Sequence, residues 1–110
     1  QAALPSLEEH KGAVLVTGGG FAFYEANVDQ MANQFGAGGL AISKAAQHKA
    51  VGLLAARLAD KGVYVGEVVV LGMVKGTAFD GGNATLEAAD IAGKFWELFE
   101  QRTPTSVNFG

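Results

Sequence analysis

Three consecutive glycines follow an apolar run in Val14-Leu15-Val16-Thr17-Gly18-Gly19-Gly20. Glycines behind a strand let backbone N–H groups approach a pyrophosphate, so phosphate binding is the first chemistry to test. The following residues oppose it. The pattern G-x-G-x-x-G counted from Gly18 meets Phe23 where it needs glycine. The variant T-G-x-x-x-G-x-G meets Ala22 and Tyr24. A Walker-type Gly-Lys-Ser/Thr is absent. The other candidates are single side chains. Lys44 and His48 stand four residues apart, on one face if the segment is helical. His10 is too distant in sequence to join His48 in a metal site, and no carboxylate cluster accompanies either. With no Cys in the chain, thiolate zinc sites, Cys nucleophiles and disulfides are excluded. Tyr24 has a phenol to offer, but beside Phe21 and Phe23 it reads as a packing aromatic. Tyr64 falls in a strand and reads as structural. Phe95, Trp96, Leu98 and Phe99 have helical spacing and read as a packing face, with Trp96 at an interface. Glu8, Glu9 and Glu87 read as solvated charges.

The elements that must hold these residues alternate. Ala3–Glu9 reads as helix turns around Pro5. Ala13–Thr17 is a continuous apolar run, which predicts a strand covered on both faces. A loop of mixed polarity runs from Phe21 to Gly39. Leu40–Asp60 predicts a helix, rich in Ala and Leu and stopped by Lys61-Gly62. Its apolar residues spread around the circumference, which predicts burial on more than one side. Val63–Leu71 is β-branched and reads as a strand ending at Gly72. A loop from Met73 to Asn83 follows, then a helix over Thr85–Gln101 and a last strand over Thr105–Phe109. Strand, helix, strand, helix, strand predicts an α/β fold with right-handed crossovers and a parallel sheet. Ligands in such sheets bind outside the carboxyl ends of the strands. The glycine-rich loops after Thr17 and Leu71 both fall there.

Composition sets the remaining bounds. The chain has 110 residues, a formal net charge of -3 and 17% charged residues. A disordered polyelectrolyte is excluded, and the acidic balance opposes a nucleic-acid-binding face. No apolar run reaches the length of a membrane span. Sixteen glycines are about twice the usual share, and they cluster at the ends of apolar runs. Gln1 at the start, with no signal-like segment after it, predicts a chain that begins inside a longer product or whose N-terminus was processed or engineered.

From residue 12 onward, five ordered segments carry a resemblance. Gly12-Ala13-Val14-Leu15-Val16-Thr17 resembles the fifth strand of the short-chain dehydrogenase/reductase family. Ala41-Ile42-Ser43-Lys44-Ala45-Ala46 resembles the start of that family's long interface helix. Ala55–Val65 is similar to its passage into strand six. Leu71-Gly72-Met73-Val74 resembles its cofactor loop, and Asp90-Ile91-Ala92 its following helix. The resemblance implies a partial Rossmann-like sheet of three strands in βαβαβ order with two main helices. Residues 1–110 would be the C-terminal half of an NAD(P)-dependent oxidoreductase domain, the dinucleotide-fingerprint half being absent.

The family pairs hydride transfer with proton transfer through a Tyr, a Lys and a Ser. Here Lys44 matches the Lys. Leu40 stands at the Tyr position and Gly18/Gly19 at the Ser position, so two of the three groups carry no proton. The resemblance assigns cofactor contact to Lys44, Gly72, Met73, Val74 and Thr77, the last one residue late. NAD(P) would bind in the parent protein, and tight binding to the isolated half, or catalysis by it, is not expected. The resemblance further implies a cytoplasmic protein that forms a homo-oligomer through helix 40–60 or pairs with its missing half. Two other readings stay open. One is a non-catalytic interaction or dimerisation module on the same half-fold. The other is a mononucleotide-binding βαβ unit resting on Gly18–Gly20 alone.

Overall fold

A computed structural model describes residues 2–77 and 81–110. Gln1 and the middle of the 73–83 loop, residues 78–80, lie outside the described residues. The β-branched segments form three parallel strands: β1 (Ala13–Gly19), β2 (Tyr64–Val70) and β3 (Ser106–Phe109). Their spatial order is β1-β2-β3. Ala13 is in register with Tyr64 and Gly19 with Val70, while Glu67 is in register with Ser106 and Val70 with Phe109. β2 is therefore central, and six of its seven residues are buried. That is why it reads as a nearly unbroken apolar run.

Four α-helices accompany the sheet: α1 (Leu4–His10), α2 (Ala26–Gln34), α3 (Gly38–Leu58) and α4 (Ala88–Gln101). Side chains alternate across a strand, so β2 separates two cores. Val63 and Val65 pack with Val51 and Leu58 of α3, joined by Val14, Val16 and the α1 residues Leu4 and Leu7. Tyr64 and Val68 pack with Ile91 and Leu98 of α4, joined by Phe95, Val107 and Phe109. Helices α3 and α4 thus cover opposite faces. Both crossovers step in the same direction across the sheet. With helices on opposite faces they must be of opposite hand. The expectation of two right-handed crossovers is corrected: one of them departs from the rule.

Other boundaries differ for local reasons. The expected loop 21–39 contains α2, whose Val28, Met31 and Ala32 have helical spacing and whose Ala32 is buried. Helix α4 starts at Ala88 instead of Thr85. The Leu86 backbone is held by Met73 and Lys75: its N–H donates to Met73 O at 3.1 Å, and its carbonyl accepts from Lys75 N–H at 2.8 Å. That pairing takes the residues before Ala88 out of the helix. Expected burial of α3 on several sides does not occur within this chain. Only Val51 and Leu58 are buried, while Ile42 is 74% and Leu53 64% exposed.

The amino end of the sheet is closed by Arg102, which caps α4 in the left-handed conformation. One guanidinium nitrogen donates to the carbonyls of Lys11 (3.0 Å), Gly12 (2.7 Å) and Gly62 (3.2 Å). It thereby ties the starts of β1 and β2 to the end of α4. The guanidinium carbon lies 5.7 Å from the centroid of the Tyr64 ring. The Tyr64 hydroxyl donates to Pro104 O at 2.5 Å, which confirms a structural role for this residue. The ring also fills the space over Gly66: a Cβ there would lie 2.6 Å from the ring.

Burial raises the pKa of Tyr64 above its ordinary 10.0, with the Arg102 charge acting the other way. A folded state that keeps the proton longer than the unfolded chain loses stability as pH rises. The contribution is intact below the unfolded value and declines above it. The stability advantage of the wild type over Tyr64→Phe should therefore shrink between about pH 9 and about pH 11. Urea melts of both proteins at the two pH values measure it. An unchanged difference between the two proteins would refute the assignment.

Candidate functional site

One face of α3 meets the sheet along Lys44, His48, Val51, Ala55 and Leu58, a spacing of three and four. Its carboxyl half is apolar and joins the core. Its amino half carries the ionisable groups over the carboxyl half of the strands. Lys44 lies on α3 over the carboxyl end of β1. Its Nζ donates to Thr17 O at 3.3 Å and to Gln47 Oε1 at 3.2 Å. A Cβ on Gly19 would touch the Lys44 stem at 3.4 Å. Among the described residues no carboxylate lies within ion-pair distance of Lys44.

The other assigned residues leave the end of β2. A Cβ on Gly20 would meet Leu71 at 3.0 Å, and one on Gly72 would meet Leu86 at 3.1 Å. Val74 pairs with Leu86 in an isolated parallel bridge. The Thr77 hydroxyl donates to Val74 O at 2.7 Å, closing a turn. Lys44, Gly72, Met73, Val74 and Thr77 thus belong to one end of the sheet, and among the described residues the Lys44 ammonium hydrogen-bonds Thr17 and Gln47. Leu40 is partly exposed one turn before Lys44, and Tyr24 is 95% exposed. The Tyr24 phenol has no ring or hydrogen-bond partner among the described residues, so the expected packing role beside Phe21 and Phe23 is corrected: the side chain stands in solvent.

A second group sits deeper and was missed in the sequence. Glu67 occupies the middle of β2 and is 0% exposed. Its Oε1 lies 2.7 Å from His48 Nδ1 and accepts from the Ser106 hydroxyl at 2.9 Å. The edge of Phe23 lies against the imidazole, with centroids 5.5 Å apart and planes at 88°. Oε2 is buried without a hydrogen-bond partner, over Gly18. Buried carboxylates are costly unless hydrogen-bonded, so this group fixes α3 to β2 and β3 at once. The Ser106 hydroxyl donates to Glu67, so the imidazole is not placed on it as in a Ser–His relay. His48 is thereby a satisfied helix histidine. The one signal for this group was a lone acid inside Val63–Leu71.

Two clefts are open near these residues. One of about 300 Å³ lies at the amino end, between Ala55, Tyr64, Arg102 and Thr105. The other, about 520 Å³, lies between α3 and β3, lined by Ala45, His48, Lys49, Gly52, Glu67 and Ser106. Neither includes Lys44 or residues 71–77. In open parallel sheets ligands bind at the carboxyl ends, and the first cleft is at the opposite end.

The remaining candidates are structural or solvated. His10 is exposed. Phe95 joins the core, and Trp96 packs on Phe99 at 5.5 Å on the outer side of α4. Glu87 pairs with Lys75 at 2.7 Å, and Glu8 with Lys61 at 3.7 Å. Among the described residues no group of His, Cys, Asp or Glu can hold a metal ion, and no helix is long and apolar enough to cross a membrane. No protein-family model, no curated protein and no solved structure matches this chain.

Proposed function

We propose that residues 1–110 are the C-terminal half of a divergent, Rossmann-like short-chain dehydrogenase/reductase domain. In this reading the half supplies the nicotinamide-side wall, the substrate loop and a dimer helix of an NAD(P)-dependent oxidoreductase, in the cytoplasm. One observation carries it. Lys44, on the helix that crosses from β1 to β2, reaches the carboxyl end of β1 beside Gly19, and the 71–77 loop leaves the adjacent strand at the same end. That is where a parallel sheet receives a ligand.

The residues fit a nicotinamide ribose in part. The Lys44 ammonium has one donor left for a sugar hydroxyl, and Gly19, Gly20 and Gly72 keep the backbone accessible. The cofactor would supply hydride chemistry. Leu40, Gly18 and Gly19 supply no proton, so the chain by itself is proposed to be inactive.

Titration with nicotinamide mononucleotide at millimolar concentration, followed by amide NMR shifts, tests this reading. Shifts are expected at Gly18–Gly20, Lys44 and Gly72–Thr77, and Lys44→Gln should reduce them. No shift, or shifts confined to the amino end, sinks the reading. A second reading, a non-catalytic dimerisation module, draws on the exposed Ile42 and Leu53 of α3. It gains if amides of α3 depend on protein concentration while none answers to the nucleotide.

A further inference from the structure

We infer that the cleft at the amino end of the sheet binds a phosphate monoester on a compact apolar body, through Arg102, Lys11 and the hydroxyls of Thr103 and Thr105. The site lies at the end of the strands opposite Lys44 and does not depend on the oxidoreductase reading. Arg102 has more donors than its structural role consumes. Nη2 alone meets the carbonyls of Lys11, Gly12 and Gly62. The N–H groups of Nη1 and Nε have no hydrogen-bond partner among the described residues, and no described carboxylate pairs with the guanidinium. The group is held in place by those carbonyls and by the Tyr64 face, stays charged, and has donors left for an oxyanion. Lys11 is exposed and has no ion-pair partner among the described residues. Its stem runs 3.8 Å from where a Cβ on Gly62 would sit, and Gly62 lines the cleft. Lys11 and Arg102 are also the two non-glycine residues with positive φ among the described residues, at 51° and 57°. A side chain in that region costs backbone energy, and glycine serves a helix end there at no such cost. Both positions that bear the cost are basic, and the Arg102 bond to Lys11 O brings them together.

The cleft beside them holds about 300 Å³, at the small end of the range for small-molecule sites. Its lining contains no acid. Asp60, next in sequence to the lining residue Ala59, is exposed and outside the lining. Thr103 and Thr105 add two hydroxyls, neither in a hydrogen bond among the described residues. Two cations match the double charge that a phosphate monoester carries above its second pKa of about 6, whereas a carboxylate offers a single charge. The rest of the wall is apolar, from Ala55, Ala59, Val63 and Val65 with the Tyr64 ring. That surface suits the body of the ligand, as the polar groups suit its head. No imidazole, carboxylate or thiol lines the cleft to move a proton, and the Tyr64 hydroxyl is held by Pro104 O. The chemistry is therefore that of binding, at the point where β1, β2 and α4 are tied together.

The test titrates phenyl phosphate, inorganic phosphate and phenol into the whole chain at about pH 7.5 and about 0.15 M salt, read by amide NMR shifts. Phenyl phosphate should shift Gly12, Gly62, Arg102 and Thr105 and bind at least about tenfold more tightly than phenol. Inorganic phosphate should shift the same amides and bind more weakly than phenyl phosphate. Lys11→Gln and Thr105→Val should each lower phenyl phosphate affinity by about three- to tenfold and leave phenol unchanged. Lys11→Arg should retain it, which separates loss of charge from loss of fold. Arg102 accepts no change in this test, because its variants would loosen the starts of β1 and β2 as well. No shift at the amino end, or binding that both variants leave unchanged, overturns the inference. Equal affinity for phenyl phosphate and phenol overturns the phosphate head. Equal affinity for phenyl phosphate and inorganic phosphate overturns the apolar body. Nicotinamide mononucleotide is itself a phosphate monoester, and its shifts at Gly18–Gly20 and at Gly62 report the two ends of the sheet separately. Either site can therefore fail without the other.

Discussion

Replacing His48 by alanine is expected to lower the stability of the chain by about 2–3 kcal/mol. The loss comes from what remains behind. Glu67 is fully buried, and His48 is one of its two hydrogen-bond partners. Without the imidazole, Oε1 keeps only the Ser106 hydroxyl while Oε2 stays unpartnered. A buried acceptor that loses a partner bears the desolvation cost in full. The figure sits at the lower end of the range for a broken buried pair because the His48 side chain is 36% exposed, and water can enter the space it leaves. The effect should be asymmetric. Glu67→Leu removes the buried charge, and the groups it abandons, His48 and Ser106, both reach solvent. That variant should lose less than His48→Ala. Urea unfolding of both variants measures the difference, with the slope of the transition checked for two-state behaviour. If His48→Ala unfolds like the wild type, or if Glu67→Leu is the worse of the two, the imidazole does not stabilise Glu67.

The residues of this cluster show how far the sequence could be read. Val63–Leu71 identifies β2 because its β-branched residues suit a strand buried on both faces. The alternation of strands and helices identifies the parallel order. Neither reveals the side of the sheet on which each helix lies, since that depends on packing between segments far apart in the chain. Opposite hands for the two crossovers were therefore out of reach. Glu67 was legible as an anomaly, an acid in an apolar run. Its partners were not, because His48 is 19 residues away on another element and Ser106 is 39 away. Position 18 was read for the hydroxyl it lacks. Its structural meaning lies in the space it leaves, which no local pattern encodes. Lys44 was legible through its neighbours in Ala41–Ala46, and the structure places it at the end of β1. The apolar spread around α3 was legible too, yet within this chain only one side of the helix is covered.

The second large effect is expected at Gly18. A Cβ there would lie 2.9 Å from Glu67 Cδ and 3.2 Å from Cγ, with Oε2 closer still. An oxygen at the end of a free side chain could swing away. This one cannot do so at small cost. Glu67 is 0% exposed, and its other oxygen is held by His48 and Ser106. Accommodating even a methyl group means displacing the whole carboxylate and losing one or both bonds, or separating β1 from β2. Gly18→Ala should therefore cost about 2–3 kcal/mol, the range in which overpacking a close-packed interior and breaking a buried hydrogen bond meet. A generic loss of glycine flexibility in a strand predicts the opposite sign, since alanine restricts the unfolded chain more. The two explanations separate in a double-mutant cycle with Glu67→Val. Valine lacks the Cδ and Oε2 that make the two nearest approaches, so the clash is relieved and alanine at 18 becomes more tolerable. The coupling between the two changes should exceed about 1 kcal/mol, well above the few tenths found for independent sites. Additive losses would mean that the glutamate and the glycine do not share this space. A positive coupling identifies Gly18 as the position at the end of β1 that makes room for a buried carboxylate in the strand beside it.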